Sequence, residues 1–143
     1  MIRPALASDA AGLSELVTQL GYPAPPEELA RRLELLTEFS KAIALVATDG
    51  ETVTGIATCH IIRSINSTEP VAQLTTLVVH ESVRGTGVGG RLVAGVERYA
   101  IENGCEKISV TSGIQREATH KFYEHIGYEL TGLRFAKALA AKT

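Results

Sequence analysis

The stretch "VRGTGVGG", residues 83–90, sets Gly85, Gly87, Gly89 and Gly90 within six positions, directly after the apolar run "LTTLVV". Glycine gives up the most conformational freedom on folding, so such a cluster is costly to order and narrows what the chain can become. Downstream, Val88, Leu92, Val96 and Tyr99 recur at helical spacing, and Asn103-Gly104 marks a helix end. The segment therefore predicts a strand, a bare glycine turn and a helix. Successive unobstructed N–H groups at a helix N-terminus form a concave anion site, and the helix dipole adds favourable potential. Arg84 beside it offers a cation suited to phosphate. The loop, residues 84–90, reads as a holder for phosphate or pyrophosphate. The plainer alternative is that the glycines serve only a tight turn.

Two other phosphate motifs fit poorly. Gly85, Gly87 and Gly90 formally match G-x-G-x-x-G, but a dinucleotide site should open the first βαβ unit and be followed by an acidic residue at the end of the next strand. Here the next strand candidate, "KISVTS", ends in hydroxyls. The Gly-Lys-Ser/Thr ending of a nucleotide-hydrolysing P-loop is also missing.

The remainder of the 143 residues is read as one domain, residues 1–143. "MIRPAL" is a short strand candidate. Ser8 and Asp9 are positioned to cap a helix through Leu13, Leu16, Val17 and Leu20, ended by Gly21. Pro26 suits the first turn of a second helix, with Glu27 and Glu28 near its positive end and a stripe of Leu29, Leu33, Leu36 and Phe39. "KAIALVATDG" and "ETVTGIATCHII" predict a hairpin turning at Asp49-Gly50, followed by the strand "VAQLTTLVV". "REATHKFYEHI" predicts a helix stopped by Gly127, and "YELTGLRFAKAL" a closing strand pair or bent strand.

Charge and composition exclude several classes. The net charge of −2 argues against a nucleic-acid partner held by a broad basic surface. No apolar run approaches a membrane span, and "MIRPALASDA" lacks a basic region followed by an apolar one, so no membrane partner is expected and a cytoplasmic location is. Cys59 and Cys105 are far apart in sequence and read as reduced, buried thiols. No His/Cys/Asp cluster has metal-ligand spacing, so no metal is expected.

The pattern Arg84-x-x-Gly87-x-Gly89, after an apolar strand and opening a helix, resembles the acyl-CoA-binding motif of the GNAT N-acetyltransferase superfamily. "FYEHIGY", residues 122–128, resembles that family's aromatic-Tyr-x-x-x-Gly-aromatic signature. The order of elements agrees along essentially the whole chain. The resemblance implies an α/β fold with α+β layering: a mixed central sheet of six to seven strands and about four helices. In it, the strand before the glycine loop and the next parallel strand splay apart. It implies acetyl-CoA as cosubstrate, its pyrophosphate on the backbone of Arg84, Gly85, Thr86, Gly87, Val88, Gly89 and Gly90. Its pantetheine arm would pair with main-chain groups of Leu77 and Val79 as an added strand. Phe122 and Arg116 stand at further cofactor-contacting positions of the family.

The implied reaction is attack of an amine on the thioester carbonyl. Tyr123 matches the family tyrosine that donates to the CoA sulfur, and a phenol stays protonated at neutral pH. A main-chain N–H of Leu77 or Val78 would polarise the carbonyl. Where many members carry a glutamate, this chain has Thr75 and Thr76, and neither takes a proton at neutral pH. Three routes for that proton stay open: a water chain, a base from elsewhere such as His60, Glu28 or Glu34, or an amine arriving partly neutral. Arg116 and His120 share one helical face before Tyr123 and are candidates for an anionic substrate group or the cofactor. The form Arg-x-x-x-His-x-Phe-Tyr looks closest to small-molecule members such as aminoalkylphosphonate acetyltransferases. A small amine is therefore the expected substrate, and the frequency of dimers in that superfamily puts a homodimer among the assemblies the resemblance allows. The competing readings are a non-catalytic acyl-CoA sensor and a protein or peptide N-acetyltransferase.

Overall fold

Aliphatic and β-branched runs separated by polar turns build the sheet. In the computed structural model, residues 1–110, 117–131 and 136–139 are described. They fall in two compact units, Met1–Val110 and Thr111–Thr143. In the first unit the order is β1 (Ile2–Pro4), α1 (Ala10–Leu20), α2 (Pro26–Phe39), β2 (Ala42–Asp49), β3 (Thr52–Ile62), β4 (Val71–Val79), α3 (Val88–Glu102) and β5 (Ile108–Val110). Short 3₁₀ turns cover Ala7–Asp9 and Glu81–Val83. The second unit contains α4 (Glu117–His125).

The strands lie in the order β1-β2-β3-β4-β5. The first four are antiparallel neighbours, and β4 pairs β5 in parallel, so the sheet is mixed. Leu13 and Leu16 of α1 and Leu29 of α2 bury against Val46, Ile56 and Val78 of the sheet. Burying a leucine contributes about 1.5–3 kcal/mol, so this cluster dominates the stability of its layer. α3 packs on β2, β3 and β4 and buries Leu92, Val93 and Val96.

The structure departs from the sequence expectations in four places. Five strands are present among the described residues, not six to seven. Residues 128–131 and 136–139 of the expected closing strand pair are not strand, and residues 132–135 lie outside the described residues. Phe39 is 73% exposed. At a turn of about 100° per residue it stands roughly 80° around the helix from Leu29, off the apolar stripe. Asp9 occupies the N-cap of α1 but its side chain makes no capping bond. Its carboxylate instead accepts two bonds from the Arg3 guanidinium, at 2.9 and 2.8 Å, and one from the Leu6 amide at 2.7 Å. A two-pronged charged partner outcompetes a neutral helix amide.

Candidate functional site

β4 delivers the chain to the glycine loop, whose own hydrogen bonds bend it while engaging only the Arg84 and Thr86 amides among residues 84–90. Val83 N–H donates to the His80 carbonyl (3.0 Å) and Thr86 N–H to the Val83 carbonyl (3.3 Å), which also accepts from the Thr86 hydroxyl. Gly85 and Gly87 hold φ of +82° and +89°, where a side chain is strained. Gly87 is the N-cap of α3, and its carbonyl accepts from Arg91 N–H at 3.1 Å. The amides of Gly85, Gly87, Val88, Gly89 and Gly90 have no acceptor among the described residues. A Cβ at Gly90 would meet nothing within 4 Å among the described residues. Neither packing nor backbone angle therefore requires glycine there, whereas a group resting against the amides would. This row of free donors at a helix N-terminus fits a diphosphate. The guanidinium of Arg84 is tied back to β4: its Nε–H donates to the Val79 carbonyl at 3.2 Å.

Beside the loop, β4 has an edge that its described neighbours pair only in part. Its parallel pairing with β5 covers Ala72, Gln73 and Leu74 only, while its pairing with β3 runs on to Val79. Among the described residues, no strand pairs with the second edge of residues 75–79; the expected splay falls where the chain continues past β5, at residues 111–116, outside the described residues. His80 N–H donates to the Thr54 carbonyl of β3 at 2.8 Å. Backbone polar groups alternate along a strand, so Val78 and Thr76 also face β3, and Leu77 and Val79 face the second edge. The arrangement leaves Leu77, rather than Val78, with a main-chain N–H directed at the gap.

A register shift between Thr58 and Cys59 places Thr75 as the extra residue of a β-bulge, since Thr76 pairs with Thr58 and Leu74 with Cys59. The exposed Thr75 hydroxyl lies 2.7 Å from that of Thr58. Half-buried His60 is two residues further along β3, opposite Gln73. Glu28 is ion-paired with Arg32 at 3.7 Å. Glu34 lines an open groove with Ala5, Ala7 and Leu33, beside β1 at the far side of the sheet from β4. The bulge and Thr58 have no signature in a run such as "QLTTLV", and sequence reasoning missed both.

In the second unit, the family-like signature has a specific backbone basis. Gly127 holds φ of +97°, its N–H donates to the Glu124 carbonyl (3.1 Å), and Tyr128 N–H donates to the Tyr123 carbonyl (2.9 Å). These two bonds define a Schellman helix end, in which the residue after the glycine packs on the residue five before it. The Tyr123 ring lies 5.6 Å from that of Tyr128 and 5.3 Å, edge-on, from that of Phe122. His120 stands on α4 one turn before Tyr123. Arg116 lies outside the described residues.

Cys59 and Cys105 are free and buried, and burial pushes the Cys59 thiol up to about 11. No group of three or more potential metal ligands occurs among the described residues. No helix of the described residues is long and apolar enough to cross a membrane.

A model of the acetyltransferase (GNAT) family matches residues 12–128. An aminoalkylphosphonate N-acetyltransferase of Salmonella typhimurium is 32% identical over 95 residues, covering 66% of this chain and 61% of that enzyme's length. An aminoglycoside N(6′)-acetyltransferase of Stenotrophomonas maltophilia is 31% identical over 134 residues, covering 91% of this chain and 86% of that one. Among solved structures, an aminoglycoside N-acetyltransferase in complex with CoA superposes with a TM-score of 0.85 at 22% identity, covering 98% of this chain and 95% of that chain. A GNAT family acetyltransferase of Staphylococcus aureus gives 0.82 at 24%, covering 97% and 98%.

Proposed function

The chain belongs to the acetyltransferase (GNAT) family, and we propose that it transfers an acetyl group from acetyl-CoA to the primary amine of a small molecule, with residues 1–143 acting as one domain. The observation that carries this reading is the row of five amides, at Gly85, Gly87, Val88, Gly89 and Gly90, that have no acceptor among the described residues, beside the edge of β4 that no described strand pairs beyond Leu74. Those amides would hold the diphosphate, and the main chain of Leu77 and Val79 would pair with the pantetheine arm. The two relatives named above act on an aminoalkylphosphonate and an aminoglycoside, which supports a small amine as substrate.

In the reaction the amine nitrogen bonds to the thioester carbonyl carbon and the C–S bond breaks. The Leu77 N–H would steady the developing oxyanion. Tyr123 would donate its phenolic proton to the departing sulfur, and Phe122 and Tyr128 hold its ring by contact. An aliphatic ammonium of pKa about 10 is neutral in only about one molecule per thousand at pH 7. Thr75 and Thr76 do not remove that proton, so it leaves through water, through His60, or before binding. The hydroxyl pair of Thr58 and Thr75 offers lone pairs toward an amine at this point of β4.

The threonines at 75 and 76 also favour a second reading, an acyl-CoA sensor without turnover. A panel of amines with acetyl-CoA, followed by thiol release from about pH 7 to about pH 9, separates the two. Amine-dependent release establishes the enzyme. Binding of acetyl-CoA with no release by any amine establishes the sensor.

A further inference from the structure

His80 caps the 3₁₀ turn that leads from β4 into the glycine loop, and its side chain is bonded on both ring nitrogens. Its Nδ1 accepts from the Ser82 N–H at 3.1 Å, with the Ser82 hydroxyl 2.8 Å from the same nitrogen. A nitrogen that accepts an amide N–H carries no proton of its own, so the imidazole proton resides on Nε2. That Nε2–H donates to the Glu15 carboxylate of α1 at 3.0 Å. One turn along α1, Gln19 Oε1 accepts from the Glu81 N–H at 3.2 Å. The main chain of His80 is fixed as well, donating to Thr54 and accepting from Val83.

We infer that His80 is a positioning residue for the thioester carrier, its Nδ1 setting the entry of the phosphate-holding loop. The inference rests on the loop being the carrier's diphosphate site. The glycines at 85 and 87 supply no side-chain restraint of their own, so the loop's shape is imposed from its first residues. With Nδ1 as cap, Glu81–Val83 closes as a 3₁₀ turn, and residues 84–90 enter α3 with their amides grouped. Without it, the Ser82 amide seeks water and the grouping loosens before the ligand arrives, so affinity falls by the expense of ordering it again.

The test is calorimetric titration of coenzyme A into the wild-type protein and the variants His80→Leu, His80→Asn, His80→Gln and Gly90→Asp, with a thermal melt of each. Asparagine places an acceptor oxygen near Nδ1, whereas glutamine reaches toward Glu15 and leaves the Nδ1 position empty. The expected result is a Kd raised about fivefold or more in His80→Leu and His80→Gln, and within about twofold of wild type in His80→Asn. Wild-type affinity in His80→Leu, equal rescue by glutamine, or failure of asparagine to rescue overturns the inference. Should the leucine variant not fold, the contrast between asparagine and glutamine decides alone. Unchanged affinity in Gly90→Asp removes the diphosphate site itself. A weakened Gly90→Asp beside an unaffected His80→Leu removes only the role of His80.

Discussion

Tyr128 folds back onto Tyr123: its amide donates to the Tyr123 carbonyl at 2.9 Å and the two rings stand 5.6 Å apart. Gly127 makes this reversal with φ of +97°, and a Cβ there would meet nothing within 4 Å among the described residues. The penalty expected on substitution is therefore backbone strain. Gly127→Ala is expected to destabilise by about 1–2 kcal/mol, lowering Tm by a few degrees. Acetyl transfer should fall too, as Tyr123 loses its support. An unchanged melt would show that the helix end is not held by this turn.

Tyr123→Phe keeps the ring contacts with Phe122 and Tyr128 and removes only the hydroxyl. The account expects kcat to drop by about 10²-fold or more while KM for acetyl-CoA stays within about twofold. Steady-state thiol release measures both. An undiminished kcat would remove Tyr123 as the acid.

Asp9 is 7% exposed, and its bond to Arg3 holds its carboxyl below the ordinary 3.8. A carboxylate whose folded pKa is depressed contributes stability that is complete above its unfolded pKa and is lost as pH falls through the folded one. Asp9→Asn should therefore destabilise by about 1–2 kcal/mol at neutral pH, discounted for the 30% exposure of Arg3. The gap between the two proteins should shrink below about pH 4. Melts between neutral and strongly acid pH check this, and a gap independent of pH would contradict it.

Both thiols are buried and their titration is pushed upward, Cys59 to about 11. An aromatic disulfide reagent at neutral pH should leave the folded protein untouched and titrate both of its cysteines on unfolding. Rapid reaction of the native protein would contradict the burial, and would also complicate any assay that counts released CoA thiol.

Much of the fold was legible because local chemistry decides it. Glycines at 87 and 127 stand where the backbone turns left-handed, and the run "VAQLTTLVV" coincides with β4. The misses arise where a distant partner decides. Asp9 looks like a helix cap until Arg3 of the neighbouring strand claims its carboxylate. Phe39 continues a leucine stripe by residue type but not by angle. Thr58 enters the site only because β3 and β4 pair with a bulge at Thr75, and His80 because α1 brings Glu15 to it. The closing strand pair was expected from the pattern of "YELTGLRFAKAL", and the described part of that segment does not form it.

The central claim is that the amides of residues 85–90 grip a diphosphate, and comparing coenzyme A with pantetheine, which lacks one, tests it most directly. In calorimetric titrations the wild type should bind coenzyme A about 100-fold or more tightly than pantetheine. Gly90→Asp should erase most of that difference without lowering Tm, because an acidic residue in the first turn suits the helix while repelling phosphate. Equal affinity of the wild type for the two ligands, or a variant as discriminating as the wild type, would contradict it.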